Sequence, residues 1–240
     1  MKYVFITGVA GSCWGWPVTY LQVASNIIDC SNKKPWRANT NIPCAATHRD
    51  NVYAGPYNEI GEMFDQLSLY YKKQHIFDEI DRAYEPTTEH KLRIVNCHWF
   101  SYQLDWIAEN LPEVDIILNL RNPEMANNGW LKSGGWNIEY PSYKWYNNTQ
   151  NLCRQSQIEH KLMQQFVKKH NLAVNSGWNA DWFDINWPEV APFIDKSKFQ
   201  EKISSTVGQP GAPPIHVGYE SLNWAFYKGK KSTPIESEKK

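Results

Sequence analysis

The chain has 240 residues, its 25 Lys and Arg balance its 25 Asp and Glu, and 42% of its residues are hydrophobic. This length favours one compact domain, and this hydrophobic content excludes a wholly disordered chain. Zero net charge argues against a nucleic-acid partner, because general nucleic-acid-binding proteins need excess positive charge to displace counterions from phosphates.

Targeting and metal-binding signals are not found in the sequence. No apolar run approaches the roughly 18–20 residues that span a bilayer, so we expect no membrane partner. The N-terminal segment leads into glycines instead of a long apolar stretch with a cleavage site, so no signal peptide is predicted. The five cysteines include no C-x-x-C pair. This usage indicates reduced thiols in a cytoplasmic protein without a metal.

Short apolar runs predict the strands. Lys2–Thr7, Arg93–Cys97 and Asp115–Leu120 are apolar at successive positions, as in parallel strands buried on both faces. Leu172–Asn175 is predicted as a fourth strand. The segment Ser31–Tyr57 contains three prolines and is predicted to be a long irregular connection.

Helical periodicity lies between and after these strands. Ile60–Tyr71 has an amphipathic stripe, and a shorter stripe over Leu104–Leu111 ends at a proline. Asn122–Glu124 carries an N-cap residue, a proline at the first helical position and an acid in the first turn, so it predicts a helix start. A long helix is predicted over Thr149–His170, with Thr149 as its N-cap.

Alternating strands and helices are typical of βαβ units, which require parallel strands and right-handed crossovers. We therefore predict an α/β fold with a central parallel sheet flanked by helices in three layers. One domain is expected over residues 1–227, followed by a polar, frayed tail over residues 228–240.

A glycine-bearing turn follows the first strand. Gly8, Gly11 and Ser12 precede Pro17, which is predicted to open a helix. Glycines allow successive backbone N–H groups to converge, and a helix N-terminus adds partial positive charge, so this pattern favours a phosphate or sulfate site. The alternative interpretation is a strand-to-helix turn whose glycines serve packing alone.

Polar side chains also follow the second and third strands. His98 follows the second strand, at the edge where open α/β sheets bind ligands, and its ordinary pKa suits a general base. Arg121 lies between the third strand and a helix N-terminus, where its guanidinium can hold a phosphate with two hydrogen bonds. The alternatives are a structural histidine and an arginine paired with a carboxylate.

The order and spacing of these motifs resemble the P-loop-type sulfotransferases that use 3′-phosphoadenosine-5′-phosphosulfate. Gly11–Trp14 is similar to the family's first motif, Asn96–His98 to its second, and Arg121–Pro123 matches its third outright. The resemblance covers the first 130 residues in outline.

The resemblance implies the roles of these residues. The first loop would hold the phosphosulfate, with the Trp14 ring stacked on adenine. His98 would be the catalytic base, and Arg121 would bind the 3′-phosphate. The co-substrate would be 3′-phosphoadenosine-5′-phosphosulfate, with no metal. The donor-binding residues would be Gly8, Gly11, Ser12, Cys13, Trp14 and Arg121.

The chain departs from the family pattern where the family has positive charge. Val9 and Asn96 replace two lysines, and Gly129 replaces a serine that follows the arginine. Lys132 or Lys144 would have to supply the missing charge, or the chemistry is slow, altered or lost.

An aromatic segment beside two glycines is the candidate acceptor site. Trp130, Lys132 and Trp136 belong to this segment, which is suited to a small-molecule or carbohydrate acceptor. The alternative interpretation is that the rings fill the core.

Three functions follow from these patterns. The first is sulfuryl transfer to a hydroxyl group. The second is nucleotide binding without catalysis, on a degenerate sulfotransferase fold. The third is phosphoryl transfer by a nucleotide kinase, which would need Mg²⁺ and a loop lysine; Val9 counts against it.

Overall fold

The fold is taken from a computed structural model. It describes residues 2–9, 11–12, 17, 21, 77, 92–96, 98–132, 148–176, 194–198 and 223–232. The strands of this part are β1 (Lys2–Gly8), β2 (Leu92–Asn96), β3 (Asp115–Asn119), β4 (Val174–Ser176) and β5 (Asn223–Tyr227). A 3₁₀-helix (His98–Tyr102) precedes the α-helices α1 (Leu104–Asn110), α2 (Pro123–Lys132) and α3 (Thr149–Lys169).

The five strands of the described residues form one mixed sheet in the order β2-β1-β3-β5-β4. β1 pairs in parallel with β2 on one side and with β3 on the other. Every residue of β1 and β3 is buried, which explains the continuous apolar runs that predict them. Phe100 of the 3₁₀-helix stacks on Phe5, with 4.4 Å between ring centroids. α3 packs on this 3₁₀-helix and on α2. The α/β class is confirmed.

The predicted central parallel sheet is mixed, because strands on one side of it run antiparallel. β5 runs antiparallel to β3, and β4 runs antiparallel to β5. Antiparallel strands are commonly added at the edge of an otherwise parallel sheet. The fourth predicted strand is present as β4, shifted toward the C-terminus. β5 was not predicted, because its sequence Asn-Trp-Ala-Phe-Tyr lacks the β-branched residues that mark the other buried strands.

The helix starts follow the predicted capping chemistry with one correction. The Asn122 side chain accepts hydrogen bonds from the backbone N–H groups of Glu124 (2.9 Å) and Met125 (3.2 Å) at the start of α2. α3 is capped by Asn148, whose side chain accepts from the backbone N–H of Asn151 at 2.9 Å. The prediction of a Thr149 cap is therefore wrong by one residue, because an asparagine precedes the threonine and both types cap well.

The segment that follows β5 is bound to the sheet as far as Ser232, so the expectation of a frayed tail is wrong for residues 228–232. Lys2 and Asp115 form an ion pair of 2.9 Å, with side chains 3% and 0% exposed. The backbone N–H of Gly229 donates to Asp115 at 2.9 Å, and Lys2 donates to Ser232 at 2.9 Å. A buried carboxylate must be paired and hydrogen-bonded, and this requirement orders the segment.

Several sequence predictions lie outside the described residues. They are the helix over Ile60–Tyr71, the irregular connection Ser31–Tyr57 and the tail beyond Ser232. Among the helices that the structure describes, none combines the length and apolar character needed to cross a membrane.

Candidate anion-binding site

The sheet order places two of the three sequence motifs beside each other. β1 lies between β2 and β3, so the chain leaves β1 toward one side for β2 and returns to the other side for β3. In open α/β sheets, ligands bind in a crevice at such a reversal, beside the carboxyl ends of the two central strands. Gly8 ends β1 and is paired with Asn119 at the end of β3. The glycine turn and Arg121 therefore lie together at the carboxyl ends of β1 and β3.

The turn after β1 is closed by its own backbone. The N–H of Ser12 donates to the carbonyl oxygen of Val9 at 2.9 Å. Gly11 has a φ of 78°, a conformation that glycine adopts without a steric penalty. The backbone N–H of Ser12 is therefore bound within the turn and is not one of the N–H groups directed at a ligand.

Asn119 connects this turn to β3. It is fully buried, and its side-chain Nδ2 donates to the carbonyl oxygen of Ser12. Its Oδ1 accepts a hydrogen bond from the backbone N–H of Arg121 at 3.3 Å. We did not select Asn119 from the sequence. The sequence feature that could have indicated it is an asparagine at the end of an otherwise apolar strand, because a buried amide needs hydrogen-bond partners.

Arg121 is buried against the same turn. The residue is 2% exposed, and Nη1 donates to the carbonyl oxygen of Gly11 at 2.8 Å. At least one N–H donor of the guanidinium is therefore hydrogen-bonded to the turn. The sequence predicted instead that the guanidinium would hold a phosphate with two hydrogen bonds. Gly129 of α2 faces the same group, because a Cβ built on it lies 3.7 Å from Nη1.

The Ser12 hydroxyl is a buried polar group in the turn. Ser12 is 1% exposed, and within the described part of the chain its Oγ has no hydrogen-bond partner. The Oγ lies against Gly8, because a Cβ built on that glycine would be 2.4 Å away from it. A buried hydroxyl without a partner carries a desolvation cost of about 1–3 kcal/mol, which a bound oxyanion would relieve by accepting its hydrogen bond.

Gly8→Ala is expected to lower the free energy of unfolding by about 1–3 kcal/mol, the usual cost of overpacking. The added Cβ would meet the Ser12 Oγ at 2.4 Å and the Asn119 Cβ at 2.9 Å, both of them at the strand junction. Urea unfolding followed by circular dichroism measures the change.

Gly129→Ala is the matched control for this substitution. Its Cβ has ordinary contact distance to Arg121, and alanine stabilises a helix interior by up to about 1 kcal/mol relative to glycine. Equal loss of stability in the two variants would contradict the close approach at Gly8.

The loop lysine of the resembled family has a buried, uncharged counterpart here. Val9 is fully buried. Its position is therefore part of the core, and a cationic side chain there would have to be desolvated.

The remaining predicted site residues are described in part or not at all. His98 begins the 3₁₀-helix, two residues after β2 ends at Asn96, and the structure describes its backbone only. Trp130 and Lys132 lie in α2, again with backbone alone described. Cys13, Trp14 and Trp136 lie outside the described residues. Among the residues that are described, no group of three or more metal-ligating side chains is found.

Comparison with known proteins gives no relative: no family model, curated protein or solved structure matches the chain.

Proposed function

We propose that the chain is a sulfotransferase of P-loop type, which transfers a sulfuryl group from 3′-phosphoadenosine-5′-phosphosulfate to a hydroxyl of a small molecule or carbohydrate. The observation that carries the proposal is the 2.8 Å hydrogen bond between Arg121 and the Gly11 carbonyl. It joins an arginine and a glycine turn at the crevice between β1 and β3. A permanent cation against a turn is suited to an anionic ligand.

The proposed reaction needs a base at the mouth of this crevice. His98 accepts the proton of the acceptor hydroxyl, whose oxygen attacks sulfur in line. The bond between sulfur and the bridging oxygen of the donor breaks, and adenosine 3′,5′-bisphosphate leaves. The turn from Gly11 to Trp14 holds the phosphosulfate, and Arg121 holds the 3′-phosphate. Positioning and preorganised dipoles supply the catalysis, without a metal.

The acceptor is proposed to bind beside α2. Trp130 and Lys132 end this helix, and Trp136 follows it in the sequence. Aromatic rings stack on sugars and aromatic alcohols, and a lysine there adds positive charge near the transferred group. Lys144 is the other candidate for that charge.

The second candidate function is nucleotide binding without transfer. One observation favours it: Val9 is fully buried where the family pattern has a lysine. Loss of a charge that stabilises the transition state costs several kcal/mol of barrier lowering. A protein of this kind would keep the turn and Arg121 and bind the nucleotide alone.

A transfer assay with radiolabelled 3′-phosphoadenosine-5′-phosphosulfate distinguishes the two functions. The acceptor panel contains phenols, aliphatic alcohols and oligosaccharides. Transfer to any of them, with release of adenosine 3′,5′-bisphosphate, supports the sulfotransferase. Binding of the nucleotide without transfer to the whole panel supports the second candidate and overturns the first.

A further inference from the structure

We propose that Asn119 is a positioning residue, which fixes the turn after β1 against Arg121 and thereby forms the anion site. This inference rests on the proposed function for the identity of the ligand. It names a residue that the motif resemblance does not include.

The two hydrogen bonds of Asn119 have opposite polarity. Nδ2 donates to the Ser12 carbonyl, while Oδ1 accepts from the Arg121 backbone N–H at 3.3 Å. A carboxylate accepts only, and an apolar side chain of similar volume does neither. The asparagine side chain is also fully buried, so water does not replace either partner. An amide of this length is therefore required at this position.

Two side chains at or just beyond the end of β3 donate hydrogen bonds to consecutive carbonyl groups of the turn. Asn119 binds the carbonyl oxygen of Ser12, and Arg121 binds that of Gly11. A carbonyl oxygen that faces an anion repels it, whereas one that is bound on the β3 side does not. Asn119 and Arg121 therefore turn the negative ends of two peptide dipoles toward protein donors. The guanidinium charge and the buried Ser12 hydroxyl lie at the same turn, and both favour an anion there.

Asn119 also sets the position of Arg121. The backbone N–H of Arg121 is held by Oδ1 just beyond the end of β3, at the point where the chain leaves the sheet for α2. Removing the amide would release both the turn and the start of the segment that carries the guanidinium. One substitution is therefore expected to disturb two parts of the site.

Asn119→Leu tests the proposal with two readouts. The first is amide hydrogen exchange at Ser12, whose N–H closes the turn, measured relative to Phe5 in the middle of β1. We expect exchange at Ser12 to become at least tenfold faster relative to Phe5. The second is the Kd of adenosine 3′,5′-bisphosphate by titration calorimetry, which we expect to rise at least tenfold.

Asn127→Leu is the matched control. Asn127 is also a buried asparagine, 3% exposed, and its Oδ1 accepts from the Ser156 hydroxyl at 2.9 Å between α2 and α3. Its loss removes a buried hydrogen bond without touching the turn, so both readouts should change less than threefold. If Asn119→Leu does not fold, Asn119→Asp takes its place, because it keeps the acceptor for Arg121 and loses only the donor to Ser12.

The outcomes separate this inference from the proposed function. Faster Ser12 exchange together with weaker nucleotide binding supports both. If exchange at Ser12 becomes faster but the wild type binds no nucleotide, the positioning role of Asn119 is supported and the proposed nucleotide ligand is overturned. Unchanged exchange at Ser12 in the Asn119 variant overturns the role of Asn119, whatever the wild type binds.

Discussion

Asp115→Asn is expected to lower the free energy of unfolding by about 3–5 kcal/mol, the largest stability effect that we predict for a single substitution. The Lys2 and Asp115 side chains are 3% and 0% exposed and lie 2.9 Å apart. Removing the carboxylate charge leaves the buried Lys2 ammonium without the carboxylate that it contacts at 2.9 Å. The asparagine still has an oxygen that can accept from the Gly229 N–H. The loss of unfolding free energy therefore reports the removal of the charge alone. Urea unfolding at neutral pH measures it.

The double variant Lys2→Met/Asp115→Asn is the control for this prediction. It removes both charges of the pair, and it should recover a large part of the lost stability. Asp105→Asn breaks an exposed pair with Lys169 and should leave the unfolding midpoint unchanged. A double variant as unstable as the sum of its single substitutions would contradict the proposed cause.

His98→Ala is expected to reduce sulfuryl transfer by about 100- to 10,000-fold, the range typical for loss of a general base. The residue lies two positions after the end of β2, at the carboxyl edge of the sheet. Binding of adenosine 3′,5′-bisphosphate should be retained, because the turn and Arg121 remain. Single-turnover rates and the nucleotide Kd separate the two effects.

His160→Gln serves as the histidine control, since His160 lies within α3 and the proposed reaction does not use it. Burial lowers the pKa of its imidazole, so it is largely neutral at neutral pH. Transfer by this variant should equal that of the wild type. Unchanged turnover in His98→Ala, with an acceptor that the wild type sulfates well, would contradict the assignment of the base.

The sequence patterns predict the part of the fold that is encoded locally. β1, β3 and residues 92–95 of β2 are buried on both faces and are therefore marked by continuous apolar runs. The start of α2 is marked by the Asn122 cap and the proline that follows it. The edge of the sheet at which the motifs lie also follows, because each motif directly succeeds a predicted strand.

Features that depend on contacts distant in sequence were not predicted. The direction of β5 depends on its pairing with β3, which lies more than a hundred residues earlier in the chain. Residues 228–232 are held against the sheet because the backbone N–H of Gly229 donates to the buried carboxylate of Asp115. The role of Asn119 depends on its hydrogen bond to the carbonyl oxygen of Ser12, which is distant in sequence. The hydrogen bond of Arg121 to the Gly11 carbonyl likewise depends on tertiary packing.

The central claim is that the crevice between β1 and β3 binds a nucleotide with a 3′-phosphate. Thermal unfolding in the presence of adenosine 3′,5′-bisphosphate, adenosine 5′-phosphate and ATP tests it most directly. A ligand that binds only the folded state stabilises it by roughly 2.7 kcal/mol at a hundredfold excess over Kd. We predict a clear rise in melting temperature with the bisphosphate, a smaller one with the other two, and loss of this preference in Arg121→Leu. No shift with any of the three nucleotides, or an equal shift with all of them, would contradict the claim.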